Sequence, residues 1–276
     1  MIRRASVLLA ALAFVAASGS VPNAQAELGS IEFQTSGSAA AQPAFIRGVL
    51  LMHSFEYDDA RQAFQEAQAA DPAFAMAYWG EAMTYNHPVW QQTSPQEALA
   101  VLQKLGATPE ARLAKAPTAK EKDWMASLGV LYGPGERPAR DLAYADALEQ
   151  MYRKYPDDNE VAAFYALALL GTSHGGRDLA TYMRAAAVVE RVYAKNPRHP
   201  GATHYLIHSY DDPIHAPLGL RYADAYATIA PAASHALHMP SHTFTRVGSW
   251  QESIETNLAS AAAARFGLEC VVYMGA

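Results

Sequence analysis

The chain has a single cysteine, Cys270, among its 276 residues. A lone thiol excludes an intrachain disulfide and any zinc or iron–sulfur site built on cysteine, so stability must come from packing. Basic residues are scarce as well: Lys and Arg number 21 against 27 Asp and Glu, and the formal charge is −6. Nucleic acid and anionic lipid both reward clustered cations, so neither is expected as the main partner. Long apolar runs are missing. The stretch Val7 to Ala17 is shorter than the roughly 20 residues that a membrane span needs, and no later segment serves better, so no transmembrane segment is expected. No strand-like alternation of apolar and polar residues occurs, and there is no P-loop, H-E-x-x-H or dinucleotide fingerprint.

What is present begins with an export signal. Arg3 and Arg4, the apolar Val7 to Ala17 and the small-x-small Ala24-Gln25-Ala26 have the order of a secretory signal peptide over residues 1–26. The mature chain is therefore expected to be exported, periplasmic or secreted. Residues 27–40 are small and polar without a sustained period and read as a flexible lead-in. From Ala44 onward the chain is rich in helix-forming Ala and Leu, broken at Asp71-Pro72, Asn86-His87-Pro88, Gly133-Pro134-Gly135, Tyr155-Pro156, Asn196-Pro197, Asp211-Asp212-Pro213 and Ala230-Pro231. These breaks leave room for helices of about 12 to 15 residues.

The breaks recur. Pro197 and Pro231 lie 34 residues apart, and each is followed by helix, turn, helix and proline or glycine. In a unit begun at Ala41, Gly48, Ala60, Phe64, Ala67 and Pro72 fall at the eighth, twentieth, twenty-fourth, twenty-seventh and thirty-second positions. On these residues the chain resembles the tetratricopeptide repeat, a 34-residue helix-turn-helix unit. The resemblance implies an all-α, right-handed superhelical solenoid over residues 41–267. Its units would be 41–74, 75–108, an irregular stretch 109–165, 166–199, 200–233 and 234–267. The segments HYLIHSYDDPIHAP and SHALHMPSHTFTRVGSW, with their HxxxH and HxxHMPSH patterns, also resemble a bacterial subfamily of exported tetratricopeptide-repeat proteins. Residues 268–276 form a tail without the polar capping helix that solenoids need, which suggests a truncated or misread end.

Six of the ten histidines fall between positions 204 and 242, far more than an even spread would place there. His204 and His208 are four apart, as are His238 and His242, and residues four apart share one helix face. Two imidazoles so placed can bind one metal ion, and imidazole suits zinc and copper. Met239 adds a sulfur that would favour copper, although core packing explains it equally well. The pairs are themselves 34 apart, so they occupy equivalent places in successive units. The resemblance implies that these four residues, together with His53, His87, His174, His235 and Arg246, line the concave groove. His199 and His215 sit beside prolines and read as surface residues, while Glu81, Asp211 and Asp212 are the acids expected near the histidines.

Pro240 falls within the last HxxxH segment. It either kinks a helix so as to aim His238 and His242, or begins a new one. Gly171-Thr172-Ser173-His174-Gly175 matches G-x-S-x-G, but the residues before it read as helix where a nucleophile elbow needs a strand. Tyr78, Trp79, Tyr85 and Trp90 suit a ligand cradle or, better, the core. Three functional readings remain: an exported scaffold whose groove holds a protein or peptide partner and a histidine-rich ligand or metal site; a metalloenzyme with a four-histidine zinc or copper centre; and a plain interaction scaffold without metal.

Overall fold

A computed structural model describes residues 27–264; the expected signal peptide (1–26), the tail 268–276 and Cys270 lie outside the described residues. The architecture follows from the first helix pair, α1 (Gln42–His53) and α2 (Tyr57–Ala70). On α2 the buried residues Tyr57, Ala60, Ala63, Phe64 and Ala67 recur every three or four positions, forming one apolar stripe. Two of the chain's glycines have a visible purpose here. A Cβ on Gly48 would lie 2.7 Å from the Phe64 ring, and one on Gly80 would lie 2.3 Å from it. The ring is therefore wedged between α1 and α3 (Ala75–Met83), where only glycine leaves it room.

After α3 comes a short antiparallel hairpin, β1 (Asn86–His87) with β2 (Gln92–Thr93). The remaining helices are α4 (Pro95–Leu105), α5 (Pro109–Lys115), α6 (Ala119–Leu131), α7 (Arg137–Lys154), α8 (Asn159–Gly171) and α9 (Leu179–Lys195). Then follow α10 (Pro200–Tyr210), α11 (Ala216–Ile229), α12 (Ser234–His238), α13 (Pro240–Val247) and α14 (Trp250–Ala263). Proline stands in the first turn of α1, α4, α5, α7, α10, α11 and α13, where its missing N–H costs nothing. Thr108, Thr118, Asp158 and Asp178 accept backbone N–H groups at the starts of α5, α6, α8 and α9. The described chain is thus nearly all helical, and successive helices pack on one another. The helix pairs α1–α2, α10–α11 and the last three helices begin at or next to the unit starts read from the sequence. Ala166 does not begin a unit, because it lies inside α8 and the pair α8–α9 starts earlier.

Beyond these consecutive contacts, α10 also packs on α1. Gly201 permits the approach, since a Cβ there would sit 2.4 Å from Nδ1 of His53. Tyr226 Oη on α11 donates to Ser54 Oγ at 3.1 Å, strengthening the same seam. The segment expected to be a flexible lead-in is instead packed. Leu28, Ile31 and Phe33 are buried, Ser30 N–H donates to the Arg198 carbonyl at 2.9 Å, and Ser36 N–H donates to Glu121 at 2.7 Å. Three apolar side chains among small polar ones show no helical period, yet all are buried, and Phe33 joins an aromatic cluster with Phe45, Trp79 and Trp124 that continues to Phe164. No helix among the described residues is long and apolar enough to cross a membrane.

Candidate metal centre

His204 and His208 share the inner face of α10, and their Nε2 atoms lie 3.1 Å apart. A third ring arrives from α12: His235 Nε2 is 3.2 Å from His204 Nε2. The ligand atoms of these three residues all fall within 4.8 Å of one another. With metal–nitrogen bonds of 2.0–2.1 Å, ligand atoms stand about 2.9 Å apart in an octahedron and about 3.4 Å apart in a tetrahedron. The two closest spacings fall between those values. His204 Nδ1–H donates to the His53 carbonyl at 2.7 Å, which fixes the tautomer and leaves a lone pair on Nε2.

The surroundings keep these rings neutral. Burial pushes His204 and His235 well below the ordinary histidine value, and the neighbouring imidazoles push them further down. Burial, then His242, lowers His208 to about 3. A neutral imidazole is the form that ligates metal. Phe55 covers the group, its ring centroid 4.2 Å from that of His204 and 5.4 Å from that of His235. It does so from a left-handed backbone, φ 57°, which for a bulky side chain costs on the order of 1–3 kcal/mol. Trp90, delivered by the β1–β2 hairpin, meets the His235 ring edge-on at 5.7 Å. Glu56 accepts from His235 N–H at 2.9 Å and from Ser234 Oγ at 3.0 Å, so a carboxylate anchors the N-terminal turn of α12.

His238 and His242 form a separate pair, Nε2 to Nε2 3.1 Å. Both readings of Pro240 hold in part. α13 starts at Pro240, yet Met239 keeps helical angles of φ −53° and ψ −35°, so α12 and α13 make one interrupted rod. His238 Nδ1 is 2.7 Å from Asn257 Oδ1, and His242 Nδ1 is 2.9 Å from Asp211 Oδ2. Arg246 donates to the other Asp211 oxygen at 2.8 Å. The set His204, His208, His238 and His242 is therefore not drawn together as one four-nitrogen group. His235 joins the first pair, while the second pair adjoins through ring centroids 5.9 Å apart for His208 and His242 and 5.8 Å apart for His235 and His238. The break at Pro240 and the placement of His235 one turn earlier on α12 account for the exchange.

A second group, missed in the sequence, joins His53, Glu160 and His199. All three are fully buried, which corrects the surface reading of His199. Glu160 takes one imidazole on each carboxylate oxygen, His53 Nε2 at 2.8 Å and His199 Nε2 at 3.0 Å. The far nitrogens are also engaged: His53 Nδ1 accepts from Tyr205 Oη at 2.8 Å, and His199 Nδ1 accepts from Ala202 N–H at 3.1 Å, capping α10. Burial pushes the Glu160 carboxyl up, but the charge and hydrogen bonds of the two imidazoles reverse this and bring it down to about 2.

The other expected residues are scattered. His87 stacks on Tyr57 with centroids 3.9 Å apart, His174 Nε2 meets Asp141 at 2.7 Å, and His215 pairs with Asp212 at 2.8 Å. Asp211 does sit beside His242. Glu81 does not, for its carboxylate is held by Gln65 at 2.8 Å and Gln68 at 2.6 Å. Ser173 follows the C-terminus of α8, with no strand before it, so the hydrolase elbow is not formed. Trp79 and Tyr78 belong to the core, whereas Trp90 reaches the histidines. No family model matches the chain, and no curated protein matches it.

Proposed function

We propose that the chain is an exported helical-repeat protein of tetratricopeptide type that binds a transition-metal ion, zinc or copper, on Nε2 of His204, His208 and His235. The observation that carries this reading is the meeting of three buried imidazole nitrogens, at 3.1 and 3.2 Å from His204 Nε2, around a nitrogen whose tautomer is fixed by the His53 carbonyl. A single lone pair on His204 Nε2 cannot properly accept from two N–H groups at once, whereas one cation suits all three rings. The seam between α1 and α10 orients His204, Glu56 orients His235, and Phe55 with Trp90 keeps the rings from bulk water. An ion bound there would act as a Lewis acid and lower the pKa of any water on a remaining position.

Metal analysis of protein stripped with chelator, reloaded with zinc or copper and passed through gel filtration tests this. The double variant His208→Ala/His235→Ala should retain about one equivalent less than wild type, with an unchanged circular-dichroism spectrum. Wild-type protein that keeps less than about 0.2 equivalents of either metal, and whose melting temperature neither metal raises, would leave a plain interaction scaffold.

A further inference from the structure

We infer that His238 and His242 form a binding site for a second divalent transition-metal ion, next to the first. The pair's own bonding carries the argument. The amide orientation of Asn257 is set by Nδ2, which donates to the Ser253 carbonyl at 2.8 Å, so Oδ1 is the atom that faces His238. His238 Nδ1 must therefore carry the proton. Asp211 can only accept, so His242 Nδ1 carries one as well. A neutral imidazole has one N–H, and both are now assigned. Two bare Nε2 lone pairs then point at each other across 3.1 Å.

Facing lone pairs repel unless a cation lies between them, and the candidates are a proton and a metal ion. The 3.1 Å spacing suits a shared proton and also fits an edge of about 2.9–3.4 Å between two ligands of one ion. Two features favour the metal. Each ring hands its remote N–H to a fixed oxygen, the arrangement by which ligand histidines are oriented. Asp211 is already paired with Arg246 at 2.8 Å, so it does not require an imidazolium for charge balance. His238 ends one helix and His242 lies in the first turn of the next, yet their nitrogens are as close as those of His204 and His208 on the unbroken α10. The ring contacts to His208 and His235 make the two sites neighbours. The pair stands on its own geometry; only the description of a two-ion centre rests on the proposal for His204, His208 and His235.

Zinc content after reloading and gel filtration separates the cases. Wild type should hold about two equivalents, and His238→Ala/His242→Ala and His208→Ala/His235→Ala about one each. One equivalent in wild type, untouched by His238→Ala/His242→Ala, would mean that the pair shares a proton, and the second site would fall while the first stands. One equivalent lost with His238→Ala/His242→Ala but kept by His208→Ala/His235→Ala would uphold the pair and remove the first site. No zinc in wild type, and no copper when reloading is repeated with copper, overturns both. Asp211→Asn keeps every ligand but frees the His242 tautomer, so it should weaken the second ion about 10–100-fold while retention at His204, His208 and His235 is unchanged. Unchanged affinity in that variant would overturn the positioning role of Asp211.

Discussion

Two buried histidine groups meet near the start of α10, where His199 and His204 are about a turn and a half apart, and they are bonded in opposite ways. In both, three ligand atoms sit within 4.8 Å of one another. Around Glu160 every ring nitrogen has a protein partner: Tyr205 and Glu160 for His53, Ala202 and Glu160 for His199. An ion there would have to displace a hydroxyl or the cap of α10. Around His204 the Nε2 atoms face one another with no carboxylate between them. Closeness of ligands is common to both groups; what distinguishes them is where the remaining lone pairs and protons go. The first is a structural knot joining α1, α8 and α10, and the second is open to a cation.

Removing Glu160 breaks the knot and should give the largest effect. Glu160→Ala strips two charge-assisted hydrogen bonds from buried imidazoles and leaves a cavity, for a loss of about 3–5 kcal/mol in urea unfolding. Even Glu160→Gln should destabilise. Its amide N–H would confront His199 Nε2, which cannot turn acceptor while Nδ1 caps α10. A loss below about 0.5 kcal/mol for both variants would dissolve the distinction.

Acid probes the open group. His204, His208 and His235 have folded values below the unfolded 6.5, so they stay neutral in the fold while the unfolded chain takes up protons. The stability linked to them is complete above pH 6.5 and is lost as pH falls below it, by up to about 1.4 kcal/mol per pH unit for each histidine. Metal-free protein should therefore melt several degrees lower at pH 5 than at pH 7.5. A flat profile would mean that the rings take up protons in the fold as readily as in the unfolded chain.

The smallest effect concerns the tie between Glu56, just before α2, and α12. Glu56→Ala removes the carboxylate that holds the first turn of α12, which should cost about 1 kcal/mol and weaken metal retention at His235. Stability that falls while metal retention does not would separate the anchor from the site.

The sequence carried much of this in its spacing. Proline and glycine punctuation marked the helix pairs, and the step of 34 residues singled out Gly48 and Phe64, which do interlock. The four-residue interval of His204 and His208 correctly put them on one face. The Glu160 knot had no such signal. It joins residues 107 and 39 positions apart, across a contact between α1 and α10 that a repeat read unit by unit does not contain. His199 looked like a turn residue because prolines flank it, although it is the buried cap of α10. Leu28, Ile31 and Phe33 were hidden for a related reason, since an extended strap buries side chains without any helical period. Phe55 gave no hint at all, because a left-handed turn in a phenylalanine is enforced by its neighbours and not by its own preferences.

The contact of α10 with α1 also sets a folding order. The His53 carbonyl that orients His204 comes from a residue 151 positions earlier in the chain. Helix pairs in between can form from local contacts, but this long-range docking pays its loop-closure entropy late. A chain emerging from its N-terminus would show an apolar α1 surface until α10 arrives, and would lack a competent metal site for the same interval. Metal uptake at the proposed site would thereby be tied to completion: an ion that bound only after the docking would report that α10 had reached α1.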